Sequence, residues 1–243
     1  MRPLALVTGS CRRLGAHIAA RLGDAGYDLA LHSGHDAEPE PWLVERLGRH
    51  EVFIADLDDA VAVAKLPEQV AARCGRVPAL LVNNASRFAV NDGVGCYDDL
   101  VAHLRVNLAA PVQLAHALHA GGGGAVINIL DQRIVNPPVD QLDYSISKQA
   151  LAEATRTLAI ALAPATRVNA VAPGLTLPTP EYSADQLDRL AAMMPLAHLP
   201  AAEAIADAVA WLAGATSVTG QVVFVDAGAH LKSFARDFVH LAR

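Results

Sequence analysis

L-A-L-V-T-G-S-C-R-R-L-G, from Leu4 to Gly15, is an apolar run of strand length that empties into a glycine turn and then into a segment of helical period. Gly9 and Gly15 let the backbone turn sharply and approach a pyrophosphate, whose charge the amides of a helix N-terminus stabilise. A glycine turn alone is a weak sign, and its weight comes from the pattern of the chain downstream. Apolar runs recur at Asp28–His32, Val52–Ala55, Ala79–Val82, Ala125–Leu130, Arg167–Val171 and Gln221–Val225, making seven with Leu4–Thr8. Between them lie helical patterns near Leu14–Ala25, Trp42–Gly48, Asp59–Cys74, Tyr97–His119, Tyr144–Ala163 and Ala202–Ala213. This alternation is the signature of parallel βαβ units. With no linker and no repeat, residues 1–243 read as one doubly wound α/β domain of Rossmann type, a seven-stranded parallel sheet with helices on both faces.

Composition narrows the class. Of the 243 residues 53% are hydrophobic, yet no apolar run reaches membrane-spanning length, so that surface belongs in a soluble core or an oligomer. Only Met1, Arg2 and Pro3 precede the first strand, which leaves no room for a signal peptide and makes the cytoplasm the expected compartment. Cys11, Cys74 and Cys96 have neither metal-ligand nor disulfide spacing and read as free thiols. A net charge of -6 without basic clusters argues against nucleic-acid and anionic-membrane partners. His116 and His119 share a helix face but lack a third ligand, so no metal is expected, and Gly121–Gly124 precedes a strand and reads as a turn.

Two stretches break the alternation. Pro173 to Ala201 follows a strand end and is too long for a tight connection, which makes it a candidate substrate lid; the alternative is a surface excursion with one short helix near Ala184–Met194. In the tail, Leu231, Phe234, Phe238 and Leu241 recur at roughly helical spacing, and this piece needs something to pack on; a neighbouring subunit's substrate pocket is within its expected reach.

The second strand ends His32-Ser33-Gly34-His35, with no acid until Asp36, while Arg12 and Arg13 sit in the opposite loop. NAD enzymes place a carboxylate at this strand end for the ribose 2′-hydroxyl and a 2′-phosphate wants cations, so NADPH is favoured. Tyr144 and Lys148 are four apart and share one helix face. A lysine ammonium ~6 Å from a phenol, at an effective dielectric of ~20, supplies about 3 kcal/mol, or ~2 pKa units, toward the phenolate.

With these residues in place, the chain resembles the short-chain dehydrogenases/reductases over nearly its whole length. The matching pieces are the Thr8–Gly15 loop, A-D-L at Ala55–Leu57, N-N-A at Asn83–Ala85, Asn107, Y-S-I-S-K at Tyr144–Lys148, P-G at Pro173–Gly174 and the closing V-T-G-Q-V-V-F-V-D-A-G. The resemblance implies that Tyr144 is the proton donor, that Lys148 holds the nicotinamide ribose and that Asn107 helps hold a relay water. It implies that Asp56 contacts the adenine and Asn83 supports the strand end. The cofactor would then touch Gly9, Arg12, Arg13, Leu14, Gly15, His32, Ser33, Asp56, Leu57, Asn83, Ala85, Tyr144, Lys148, Pro173 and Gly174. Tetramers are common in the family, so a homotetramer is expected.

One departure is informative. The family usually carries serine about a dozen residues before its tyrosine, and here Asp131 stands in that slot. With Arg13 in place of the middle loop glycine and Phe88 in N-N-A-S-R-F, the pattern is similar to the pteridine reductase and dihydromonapterin reductase branch. In that branch the equivalent of Phe88 and the nicotinamide sandwich a pterin, with aspartate and tyrosine beneath it, and Ser86 matches a serine of the same pocket. An ionised Asp131 would oppose the lysine and keep Tyr144 protonated, favouring reduction, whereas a protonated Asp131 would itself feed the proton relay. The expected activity is NADPH-dependent reduction of a dihydropterin or similar planar heterocycle. The alternatives are a carbonyl reductase acting on a 3-oxoacyl thioester or other ketone, and a non-catalytic NADP(H)-binding redox sensor, which would need none of Tyr144, Lys148 and Asn107.

Overall fold

In the computed structural model, which describes residues 2–35, 38–88 and 96–243, the seven apolar runs form β1 (Leu4–Val7), β2 (Asp28–Ser33), β3 (His50–Ile54), β4 (Leu80–Asn83), β5 (Gly124–Ile129), β6 (Thr166–Pro173) and β7 (Val222–Val225). All pairs are parallel, in the order β3-β2-β1-β4-β5-β6-β7. The helices are α1 (Arg13–Asp24), α2 (Pro41–Arg46), α3 (Ala60–Cys74), α4 (Tyr97–Leu104), α5 (Ala110–Ala120), α6 (Leu142–Ala161), α7 (Ala184–Met193) and α8 (Ala202–Gly214).

Strand side chains alternate between two cores. Ala5, Val7, Leu29, Leu31, Leu80, Val82, Ala125 and Ile127 pack against α1, α2 and α8. Leu4, Leu6, Ala30, Leu81 and Val126 pack against α3, α5 and α6 on the opposite face. Burial on both faces is why these strands read as nearly continuous apolar runs. After β1 the chain builds β2 and β3 on one side and then returns to place β4 on the other. The carboxyl ends of β1 and β4 therefore diverge into a crevice, the usual place for a ligand in an open parallel sheet.

Two expectations need correction. The helix read as Tyr97–His119 is interrupted by a π-helical turn over Arg105–Ala109. Pro111 lies four residues after Asn107 and has no N–H to give that residue's carbonyl, so the backbone widens just ahead of it. The tail forms no amphipathic helix, only short 3-10 turns at Ala229–Leu231 and Phe238–His240. It also packs on its own chain: Phe238, Phe234 and Leu241 join Leu190 and Met194 in one apolar cluster. Asp36, the first acid after β2, lies outside the described residues. Among the described residues no helix is long and apolar enough to cross a membrane, and no cluster of three or more His, Cys, Asp or Glu is placed to hold a metal. His119 instead meets the Thr166 hydroxyl at 3.0 Å.

Candidate active site

The glycine turn is held from three sides. Gly9 takes φ +62°, and a Cβ there would sit 3.0 Å from the Cα of Ala85. At Gly15 a Cβ would come within 2.1 Å of the Gly9 carbonyl oxygen, so the start of α1 closes on the loop only with glycine in place. Asn84 donates from Nδ2 to the carbonyls of Thr8 and Gly9, both at 3.0 Å, and Thr8 Oγ1 accepts the amides of Asn84 and Ala85 at 3.0 Å each. Arg13 adopts a left-handed φ of 52°, and its guanidinium donates to the Leu177 carbonyl at 2.6 Å, linking the loop to the segment after β6. Arg12 and Leu14 flank it, the former exposed.

His32 departs from its expected role. Its Nδ1 accepts the Gly9 amide at 3.1 Å and its Nε2 donates to the Ala55 carbonyl at 2.9 Å, so both ring nitrogens are engaged inside the protein. Burial lowers its pKa, and the neutral ring buckles the loop to β2 without offering a charge to a phosphate. Ser33 is buried beside it, Asp56 is exposed and turns its carboxylate onto the Asp58 amide at 2.9 Å, and Leu57 packs under α3.

Asparagines tie the strand ends to the long helix. Asn83 Nδ2 donates to Asn128 Oδ1 at 2.8 Å, and Asn128 donates to Thr155 of α6 at 2.9 Å. In the π turn, Asn107 Oδ1 accepts the Arg87 amide at 2.7 Å and the Ser86 hydroxyl at 3.2 Å. Its Nδ2 donates to the Arg87 carbonyl at 3.0 Å and to Ser147 Oγ at 2.9 Å, and Ser147 donates to the Tyr144 carbonyl at 2.7 Å. The fully buried Asn107 thus clamps the loop after β4 to α6 one turn from Tyr144.

Tyr144 and Lys148 stand on one face of α6, with Lys148 Nζ 5.8 Å from the tyrosine ring centre and donating a hydrogen bond to the Ile129 carbonyl at 2.8 Å. The Tyr144 hydroxyl donates to Asp131 Oδ2 at 3.0 Å. Asp131 Oδ1 accepts the Arg133 amide at 2.8 Å, so both carboxylate oxygens act as acceptors. Burial, and then the Asp131 charge, raise the Tyr144 pKa well above the usual tyrosine range, the direction given for an ionised Asp131 that opposes the lysine. Burial also brings Lys148 down to about 8. The phenol is held protonated and ready to donate.

These groups open onto a cavity of about 750 Å³ lined by Arg13, Ser86, Phe88, Asp131, Tyr144 and Lys148, with Pro173, Gly174 and Leu175 at the end of β6. Phe88 is 49% exposed, and its ring stands edge-on to that of Tyr144 with 4.9 Å between centres. Among the lining residues that the sequence reading did not assign to the site are Asn84, visible as the second asparagine of N-N-A, and Arg133 and Asp237, which carried no signal of their own.

The family model described as Enoyl-(Acyl carrier protein) reductase matches residues 9–230. The chain belongs to the short-chain dehydrogenase/reductase family of oxidoreductases. Among solved structures it is similar to FolM alternative dihydrofolate reductase 1 from Brucella suis in complex with NADP, at 35% identity and a TM-score of 0.88 over 96% of each chain. It is also similar to a blue fluorescent protein from a metagenomic library in complex with NADPH, at 32% identity and a TM-score of 0.84 over 93% of this chain and 97% of that one. Among curated proteins, (3R)-3-hydroxyacyl-CoA dehydrogenase of Canis lupus familiaris is 32% identical over 94% of this chain and 96% of its own length.

Proposed function

We propose that the chain is an NADPH-dependent reductase of a dihydropterin or similar planar heterocycle. The hydrogen bond from Tyr144 to Asp131, beneath the exposed Phe88 ring, carries this reading. A flat nitrogen heterocycle would stack on the exposed Phe88 ring with its edge toward the carboxylate–phenol pair, where the carboxylate accepts ring N–H groups and the phenol supplies a proton. The FolM structure with NADP supports the same substrate class and cofactor. The residues present suit that cofactor: at Gly9 and Gly15 a Cβ would strike Ala85 and the Gly9 carbonyl, so the tight turn that lets amides approach a pyrophosphate forms only with glycine, and Arg12 and Arg13 belong to the same loop.

Bound NADPH would supply the hydride. Tyr144 gives its phenolic proton to the substrate, and the O–H bond broken there leaves a phenolate between two cations, Lys148 on one side and Arg133 Cζ 5.6 Å from the ring centre. Lys148 and the Asn107 clamp keep α6 in register while the proton is replaced from solvent.

The test is NADPH oxidation with 7,8-dihydrobiopterin or dihydromonapterin, run beside an acetoacetyl thioester and a Tyr144→Phe control. Turnover of the pterin alone, lost in the control, supports the reading. Turnover of the thioester alone replaces it with carbonyl reduction, the chemistry named for the hydroxyacyl-CoA relative. Binding of NADPH without turnover of either substrate leaves the sensor reading.

Two substitutions separate cofactor from substrate. Gly15→Ala sets a methyl against the Gly9 carbonyl, so NADPH affinity by fluorescence titration is expected to fall by more than about tenfold, as overpacking that costs about 1–3 kcal/mol implies. Phe88→Leu removes the aromatic wall, and the KM for the pterin should rise by about 2- to 12-fold, the value of one lost aromatic contact of about 0.5–1.5 kcal/mol. The KM for NADPH should stay unchanged.

A further inference from the structure

The two stretches that broke the βαβ alternation meet over the cleft. Gln186 of α7 donates from Nε2 to the carbonyls of Val239 and Leu241 at 3.2 and 2.8 Å, Arg189 Nε reaches the Ala242 carbonyl at 2.8 Å, and Phe238 is buried beneath α7. Asp140, just ahead of α6, accepts the Asp237 amide at 2.7 Å and Arg236 Nε at 3.3 Å. The Asp237 side chain, thereby pinned, accepts the Val239 amide at 2.9 Å and makes an ion pair with Arg133. Arg133 keeps only 12% of its side chain exposed and is shared between two carboxylates, Asp237 and Asp131, the latter 3.8 Å from Nε. Its guanidinium also lies 5.7 Å from the Phe88 ring centre and 5.6 Å from that of Tyr144.

We propose that the C-terminal tail is a working part of the site: Asp237 holds Arg133, and Arg133 holds Asp131 against Tyr144, so that both are positioning residues for proton delivery. The proposal rests on the reading of Tyr144 as proton donor. A buried guanidinium between two carboxylates is satisfied only while both are present, and removing either leaves an unbalanced charge close to the reacting phenol. The other charged groups facing this array are Lys148 from α6, Asp140 ahead of it, Tyr182 and Glu181 ahead of α7, and His240 and Arg243 from the tail.

The signs of the two perturbations differ. Asp237 and Asp131 both act to keep the Tyr144 proton, and Arg133 acts to release it. Asp237→Asn leaves Arg133 under-neutralised, so the alkaline limb of the kcat/KM profile should move to lower pH by about one unit. Arg133→Met removes the cation that acts to release the Tyr144 proton, so the alkaline limb should move to higher pH by about one unit, while Arg133→Lys keeps the charge and should restore that limb. The profiles are recorded with whichever substrate the intact enzyme reduces. Should Arg133→Met not fold, Asp237→Asn carries the test alone, in the opposite direction. Profiles that superimpose on the parent after scaling, however low their amplitude, would overturn the proposal. A Tyr144→Phe control separates the two failures: if it is silent and the limbs do not shift, the tail proposal alone falls, and if it stays active the donor reading falls and takes this one with it.

Discussion

Replacing Tyr144 with phenylalanine is expected to lower kcat for NADPH-dependent reduction by about 10²–10⁴-fold, the range supplied by a positioned general acid. The reason is geometric. Tyr144 is the only phenol among the described residues that donates to Asp131, and it does so from a buried face of α6 at 3.0 Å. Phenylalanine keeps the ring, and with it the edge-on contact to Phe88, but leaves Asp131 Oδ2 without that donor. Losing a hydrogen bond to a buried acceptor costs about 1–3 kcal/mol, so a modest fall in melting temperature should accompany the loss of turnover. NADPH affinity, followed by fluorescence, should change little, because the glycine turn and Lys148 are untouched. Turnover within about tenfold of the parent would remove Tyr144 as the donor, since a general acid contributes more than that.

The parts of this site that were legible in the sequence are those fixed by local spacing. Tyr144 and Lys148 share a helix face whatever the helix packs on, and Asp131 announced itself by its distance from Tyr144. The strands were legible because burial on both faces keeps β1, β4, β5 and β6 mostly apolar. What was not legible depended on pieces far apart in the chain. Arg133 becomes a site residue only because Asp237, in a tail that reads as a weak helix, folds back through Asp140 and α7. His32 looked like a donor for a phosphate, and its sequence neighbours hold no hint that the Gly9 amide takes its ring nitrogen. The direction of the Tyr144 pKa was legible through Asp131, thirteen residues ahead of it, whereas burial, the larger cause, was not. The break at Arg105–Ala109 was available in principle, since Pro111 was in plain sight, but proline within an apolar helical period marks a distortion without giving its form.

Lys148→Met is expected to give a protein without reductase activity that is more stable than the parent at pH 7 in the absence of NADPH. Burial brings the Lys148 ammonium from its ordinary value of 10.5 to about 8 in the folded chain. At pH 7 both folded and unfolded chains carry the proton, so the folded state bears the full cost of the buried charge, about 3 kcal/mol for that difference. Between pH 8 and 10.5 the folded chain has released the proton and the unfolded chain has not. The unfolded state then binds more protons, and stability rises with pH across that window. Methionine has nearly the same length and no charge. It leaves the buried Ile129 carbonyl without the hydrogen bond it accepts at 2.8 Å, a loss of about 1–3 kcal/mol, so the net gain at pH 7 is at most about 2 kcal/mol. Tyr144, whose proton the fold retains, works against stability only once the unfolded phenol ionises near 10. Urea denaturation at pH 7 and again near pH 9.5 should therefore show the variant's advantage shrinking as the parent sheds its charge. A variant destabilised at pH 7 would mean that the ammonium is solvated in place and that its depressed pKa is not a burial effect. A stabilised and inactive variant would mean that the fold keeps a charge it is better off without, because the reaction at Tyr144 requires a cation there.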